Sequence, residues 1–125
     1  MYLVGDDHPH KLDAQRLLGR LAREQRRLAT SAEVFQELLH RLGSIGRGED
    51  IELAFETLRG FVDEVFAVEE ADVFAAKGVL FGHPRLSARD ALHVAVMRRR
   101  QITEIISFDR GFDGLVGIAR LPRDE

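Results

Sequence analysis

Ser87-Ala88-Arg89-Asp90-Ala91-Leu92-His93-Val94-Ala95-Val96-Met97-Arg98-Arg99-Arg100 runs directly into Gln101-Ile102-Thr103-Glu104-Ile105-Ile106-Ser107-Phe108-Asp109. The first part opens with Ser-x-x-Asp, a helix-start pattern. Its apolar positions Ala88, Ala91, Leu92, Val94, Ala95, Val96 and Met97 cover most of a helical circumference, and a helix apolar nearly all round is a buried one. The second part, Ile102 to Phe108, is rich in β-branched residues and reads as a strand that ends at Asp109. A buried helix feeding a short strand is a building unit of α/β domains, where sites form at the carboxyl ends of strands.

The same alternation extends in both directions. Upstream, Asp6, Asp7 and Pro9 are start signals for a helix over roughly Asp7 to Arg27. Leu17, Leu18, Leu21 and Leu28 fall on one side of it, and Arg16, Arg20, Arg23 and Arg27 on the other. A short strand is expected at Leu28-Ala29-Thr30. Thr30-Ser31-Ala32-Glu33 reads as a capping box opening a helix to about Leu42. Gly43-Ser44-Ile45-Gly46-Arg47-Gly48 is the break before a helix from Glu49 to Phe61. Val65-Phe66-Ala67-Val68 reads as a strand and Glu70 to Leu80 as a helix, which Pro84 keeps apart from the next. Downstream, Arg110 to Gly114 is a turn, and Leu115 to Leu121 forms a last helical turn and an edge strand. Helices alternating with short apolar strands predict one α/β domain over residues 1–125, with a mainly parallel sheet flanked by helices.

Composition narrows the functional classes. At 125 residues, 45% of them apolar, the chain is long enough for one real core and short for two domains. Lys+Arg number 18 against 21 Asp+Glu, a net charge of −3, which argues against an all-over basic coat but not against a local basic stripe. There is no Cys, which excludes a disulfide scaffold and thiolate metal sites. With neither a signal-like start nor an apolar run of membrane length, no membrane partner and a cytoplasmic location are expected.

Three carboxylates stand out by context. Glu37 sits mid-helix at the border of an apolar stripe, Asp90 in the first turn of the buried helix, and Asp109 at the end of the best strand. Each has a local explanation: Glu37 can pair with Arg41, Asp90 can complete the cap begun by Ser87, and Asp109 can form the turn before Gly111. Brought together, three like charges repel, and a divalent cation removes that penalty. Oxygen ligands without Cys favour Mg²⁺ or Mn²⁺ over Zn²⁺, and such a centre suits phosphodiester hydrolysis.

The combination of Thr30-Ser31-Ala32-Glu33-Val34-Phe35-Gln36-Glu37-Leu38-Leu39, Leu86-Ser87-Ala88-Arg89-Asp90-Ala91-Leu92-His93 and Ile105-Ile106-Ser107-Phe108-Asp109-Arg110-Gly111-Phe112-Asp113 resembles the PIN domains. More narrowly, it resembles the VapC-type toxins of bacterial toxin–antitoxin pairs. The resemblance covers nearly the whole chain in the right order. It implies an α/β, PIN-like three-layer domain and a Mg²⁺- or Mn²⁺-dependent endoribonuclease that acts on RNA. It also implies a cognate antitoxin that holds the enzyme inactive, and a homodimer. Carried over residue by residue, it makes Glu37, Asp90 and Asp109 catalytic metal ligands and Asp113 an accessory acidic position. Ser107 becomes a hydrogen-bonding support and His93 a packed residue behind the site. Arg89 becomes a phosphate contact, with Arg16, Arg20, Arg23 and the Arg98–Arg100 run as further basic candidates for RNA or partner.

One feature departs from the family. Its opening apolar strand, ending in an Asp-Thr-Asn-like segment, has no counterpart, because Met1-Tyr2 begins about where a later aromatic would fall. The domain is therefore expected to be N-terminally short and to lack the first strand and its aspartate, with Met1 internal to the natural reading frame. The 125-residue chain itself is expected to bind metal weakly and cut poorly. The alternative is a catalytically impaired PIN-like binding module that sequesters antitoxin or RNA.

Overall fold

Three helices in this protein end in the same way, and two of those endings set where a strand begins. In the computed structural model, which describes residues 16, 19–107 and 110–121, residues 19–23 are helical. That helix stops when Gln25 turns to a φ of 55°. The Gln25 N–H reaches the Ala22 carbonyl and the Arg26 N–H the Leu21 carbonyl, the paired bonds of a Schellman closure. The sequence reading carried this helix on to Arg27; the left-handed residue ends it earlier. Its expected start at Asp6 to Pro9 and its Leu17 and Leu18 positions lie outside the described residues.

The first compact unit, residues 2–67, continues with β1 (Ala29–Ser31), α1 (Ala32–Ser44), a 3-10 turn (Gly48–Asp50), α2 (Ile51–Phe61) and β2 (Glu64–Phe66). β1 and β2 pair in parallel, Thr30 opposite Val65. The ladder is extended by the Asp63 N–H to the Leu28 carbonyl at 2.7 Å and by the Leu28 N–H to the Asp63 carboxylate at 2.8 Å. Leu21, Leu42, Ala54, Leu58, Val62 and Phe66 are buried. Phe35 of α1 meets Phe55 of α2 edge-on, their centroids 5.0 Å apart.

The expected capping box at Thr30 to Glu33 does not form. Thr30 is held in the ladder, so Ser31 becomes the N-cap of α1 and the third helical position falls on Val34. The Ser31 hydroxyl is buried and has no hydrogen-bond partner among the described residues. At the far end of α1, Gly46 supplies the left-handed turn, with φ 75°, where the glycine-rich break was read. There the Gly46 and Arg47 N–H groups bond back to Gly43 and Leu42.

The second unit, from residue 68 onward, holds α3 (Glu70–Gly82), α4 (Ala88–Arg99), β3 (Glu104–Ile106), a 3-10 turn (Arg110–Phe112) and β4 (Ala119–Leu121). As read from the sequence, α4 is buried on most of its circumference, through Ala91, Val94, Ala95, Val96 and Met97. Around it pack Ala76 and Val79 of α3 with Leu86, Phe112, Leu115 and Ile118. Gln101, at φ 59°, closes α4: its N–H bonds to the Arg98 carbonyl and the Ile102 N–H to the Met97 carbonyl. Ile102, just past the turn, then packs on the same core as Met97, the apolar contact that accompanies this closure. β3 follows, parallel to β4.

All described pairing is parallel, and helices alternate with strands, as the α/β reading requires. The difference lies in the sheet count: the four described strands form two two-stranded sheets, β1–β2 and β3–β4. Each pair is closed by its own crossover, and no described strand belongs to both ladders.

Two outcomes follow from the caps. Gln101→Gly should stabilise the protein by about 1 kcal/mol in urea unfolding, because a side chain at left-handed φ is strained and glycine is not. Ser31→Ala should cost clearly less than the ~1 kcal/mol lost with a working N-cap, because the buried hydroxyl already lacks a partner.

Candidate functional site

α4 presents the second of the three carboxylates. Leu86 is buried ahead of it, and Ser87, in extended conformation, caps the helix. The Ser87 Oγ accepts the Asp90 N–H at 3.1 Å. The cap therefore uses the main chain of Asp90, not its carboxylate, and fixes the first turn from which that carboxylate projects. Asp90 is half-buried, Arg89 beside it is exposed, and His93 one turn on is half-buried. Glu37 lies in the middle of α1, half-buried, in the other unit. Asp109 lies outside the described residues. Among the described residues, no group of three or more His, Asp or Glu side chains is arranged to hold a metal ion.

β3 is shorter than the strand read from Ile102 to Phe108. Its continuation, Ser107, donates its N–H to the Leu121 carbonyl at 3.0 Å. Asp113 follows the 3-10 turn and is met by Arg120 of β4. The Arg120 Nε lies 2.8 Å from Oδ1 and Nη2 3.3 Å from Oδ2, while Nη1 reaches the Ser107 carbonyl at 3.2 Å. Asp113 is thus engaged by a guanidinium across both oxygens. Arg120 was not singled out in the sequence, where it reads as one more charge in an edge strand.

The basic candidates separate into two kinds. Arg16, Arg20, Arg23 and Arg89 are exposed. Within the Arg98–Arg100 run, however, Arg99 is committed to the protein itself. Its Nε and Nη2 hold the Asp72 carboxylate at 2.5 and 2.9 Å, and Nη1 lies 3.4 Å from Glu69. Arg98 donates to the Val116 carbonyl at 3.3 Å. The run is therefore not a free basic rim. Asp72, 1% exposed, also accepts the Glu69 N–H at 2.9 Å, capping α3. The Glu-x-x-Asp spacing ahead of an apolar run is the signal by which the sequence could have flagged it.

The hydrogen bonds from Arg99 hold the Asp72 carboxyl below the ordinary aspartate value of 3.8; burial opposes this and the Glu69 amide assists it. Arg99 is pushed up in turn, chiefly by its bond to Asp72.

Residues 1–117 match the PIN domain family, and the chain belongs to that family. It is 54% identical to the VapC ribonuclease Mb1869c of Mycobacterium bovis over 121 residues, covering 97% of this chain and 92% of that one. Ribonuclease VapC13 of Mycobacterium tuberculosis matches with the same figures. Ribonuclease VapC23 of the same species is 42% identical over 109 residues, covering 87% of this chain and 86% of that one. Among solved structures, a chain of a toxin–antitoxin complex from Klebsiella pneumoniae superposes with a TM-score of 0.58. That match covers 86% of this chain and 87% of that one at 16% identity, a likeness of fold. Among the described residues, no helix is long and apolar enough to cross a membrane.

The Asp72 pair has a signed pH signature. A lowered native pKa stabilises the fold above the unfolded carboxylate's value, and that contribution is lost as pH falls through the native one. Asp72→Asn should therefore lower Tm at pH 7 by on the order of 10 °C. The gap to wild type should begin to narrow as the melting pH is brought below about 4, near the unfolded aspartate's pKa, and close as pH falls through the lower native one.

Proposed function

We propose that this protein is a Mg²⁺- or Mn²⁺-dependent endoribonuclease of the VapC type. On this reading it is a toxin that acts on RNA in the cytoplasm and is inhibited by a cognate antitoxin. The observation that carries the reading is 54% identity to VapC ribonucleases over 97% of the chain. The likeness of fold to a chain of a toxin–antitoxin complex agrees with it.

Glu37, Asp90 and Asp109 are the proposed metal ligands and catalytic residues, with Asp113 as the fourth acid of the set. The donor chemistry fits: carboxylate oxygens in a chain without Cys suit a hard divalent cation. A cation held there would supply neutralisation of charge on the scissile phosphate and a lowered pKa for the water nucleophile. The chain's own residues position and hold. The Ser87 cap fixes the backbone that carries Asp90. Ser107 and His93 support the acids by hydrogen bonding and packing. Arg89, with Arg16, Arg20 and Arg23, contacts RNA phosphates or the antitoxin, a role their exposure allows. Phe74 and Phe81 stand exposed on α3 at 56% and 84%, an apolar face that favours a homodimer.

The test is a melting series in Mg²⁺ together with an RNA cleavage assay. At about ten times its dissociation constant, Mg²⁺ adds ~1.4 kcal/mol, a Tm rise on the order of 5 °C. Asp90→Asn should lose both the rise and the Mg²⁺-dependent cleavage. A wild-type chain that neither melts higher in Mg²⁺ nor cuts RNA overturns the reading of this 125-residue chain as an active nuclease, in favour of the catalytically impaired PIN-like binding module. An undiminished response in Asp90→Asn removes that residue from the ligand set.

A further inference from the structure

Arg120 is an unusual side chain for a three-residue strand: only 6% of it is exposed. A guanidinium so far from water is costly unless it is paired. Its partner is a proposed metal ligand. Nε and Nη2 take the two oxygens of Asp113 at 2.8 and 3.3 Å, and Nη1 takes the Ser107 carbonyl at 3.2 Å. The two sides of the pair differ, because the Asp113 side chain is 50% exposed. Its carboxylate is held by a buried cation on one side and open to water on the other. A carboxylate has about four lone-pair sites, of which a guanidinium fork takes two. The remaining sites can reach a metal ion, but a full positive charge already lies one hydrogen bond away, and two cations on one carboxylate repel.

We propose that Arg120 is the resident counter-ion of Asp113. It keeps the carboxylate paired in the metal-free protein and lowers the affinity with which that carboxylate takes a divalent cation. Asp113 keeps its ligand role, and metal binding becomes a contest between the ion and the arginine. The inference rests on the metal-dependent reading above and adds regulation to it: the site fills only when free divalent cation outweighs a charge that the fold itself supplies.

The experiment measures Mn²⁺ affinity of the full chain by the loss of the free-ion paramagnetic resonance signal, with Tm recorded in chelator and in Mn²⁺. Arg120→Gln removes the charge and keeps an amide donor. It is expected to bind Mn²⁺ about 10-fold more tightly than wild type, the worth of one unit charge a few ångströms from a divalent ion in a watery surround. Its Tm in chelator is expected to fall, and its rise on adding Mn²⁺ to exceed that of wild type. Arg120→Lys, which keeps the charge without the fork, is expected to stay near wild-type affinity. In an Asp113→Asn background the gain from Arg120→Gln is expected to vanish. An arginine with a merely structural role gives the opposite sign, because loosening the strand end weakens the ligand it holds. Unchanged or weaker Mn²⁺ binding in a folded Arg120→Gln chain therefore overturns the inference, as does a gain that survives in full without Asp113. A second readout needs no variant: the Arg120 Nε–H resonance of the wild-type chain is expected to shift as Mg²⁺ is added, and one that stays in place at saturation overturns the inference too. Wild-type and Arg120→Gln chains that both bind no Mn²⁺, or an Asp90→Asn chain that binds it undiminished, overturn the metal reading beneath it instead.

Discussion

Asp72 carries its charge into the interior of the second unit, and the packing there is organised around that charge. An unpaired carboxylate so buried would be costly. Arg99 meets it with two nitrogens and the Glu69 amide with a third donor. One carboxylate thereby caps the start of α3 and fastens the end of α4. With that end fastened, the turn at Gln101 delivers Ile102 onto the core, and β3 starts from a fixed point. Ser107, Asp113 and Arg120 all lie downstream of it. The pair's contribution is one of geometry as much as energy, because breaking such a pair is far more costly than never having built it.

Arginine does two jobs in this molecule. Arg99 and Arg120 are fork-shaped struts, each holding a carboxylate through two nitrogens and meeting a second group with the third, the Glu69 carboxylate and the Ser107 carbonyl respectively. Arg16, Arg20, Arg23 and Arg89 are exposed. A protein with a net charge of −3 attracts a polyanion only through local positive patches, so which arginines remain available matters. Arg98 and Arg99 at the end of α4 are exposed but tied by bonds to Val116 and Asp72, whereas Arg89, exposed at its beginning, flanks Asp90.

The helices were legible because their signals are local. Ser87 before an apolar helix, the glycine break after Leu42 and the β-branched run at Ile102 each act within a few residues. Boundaries moved where tertiary contacts took precedence. Thr30 was drawn into a ladder with Val65, which displaced the cap to Ser31 and left its hydroxyl without a partner among the described residues. Two glutamines, Gln25 and Gln101, adopt the left-handed turn usually left to glycine; the first stop was therefore read too late, while the β-branched run after Gln101 marked the end of α4 at about Arg100. Among the candidate acids, Asp90 was legible through its cap motif. The engagement of Asp113 by Arg120 was not, since nothing near either residue in the sequence points to the other.

What the sequence determined by itself was the alternation of helix and strand, the buried character of α4, the exclusion of thiolate ligands and the motifs that mark the PIN family. All of these are properties of composition and of spacing within one element. The tertiary structure alone decided which charges are spent internally, how the parallel strands divide between two ladders, and which arginines stay exposed. Pairing across distant positions depends on how elements pack, and a carboxylate looks the same in the sequence whether it will face water or an arginine.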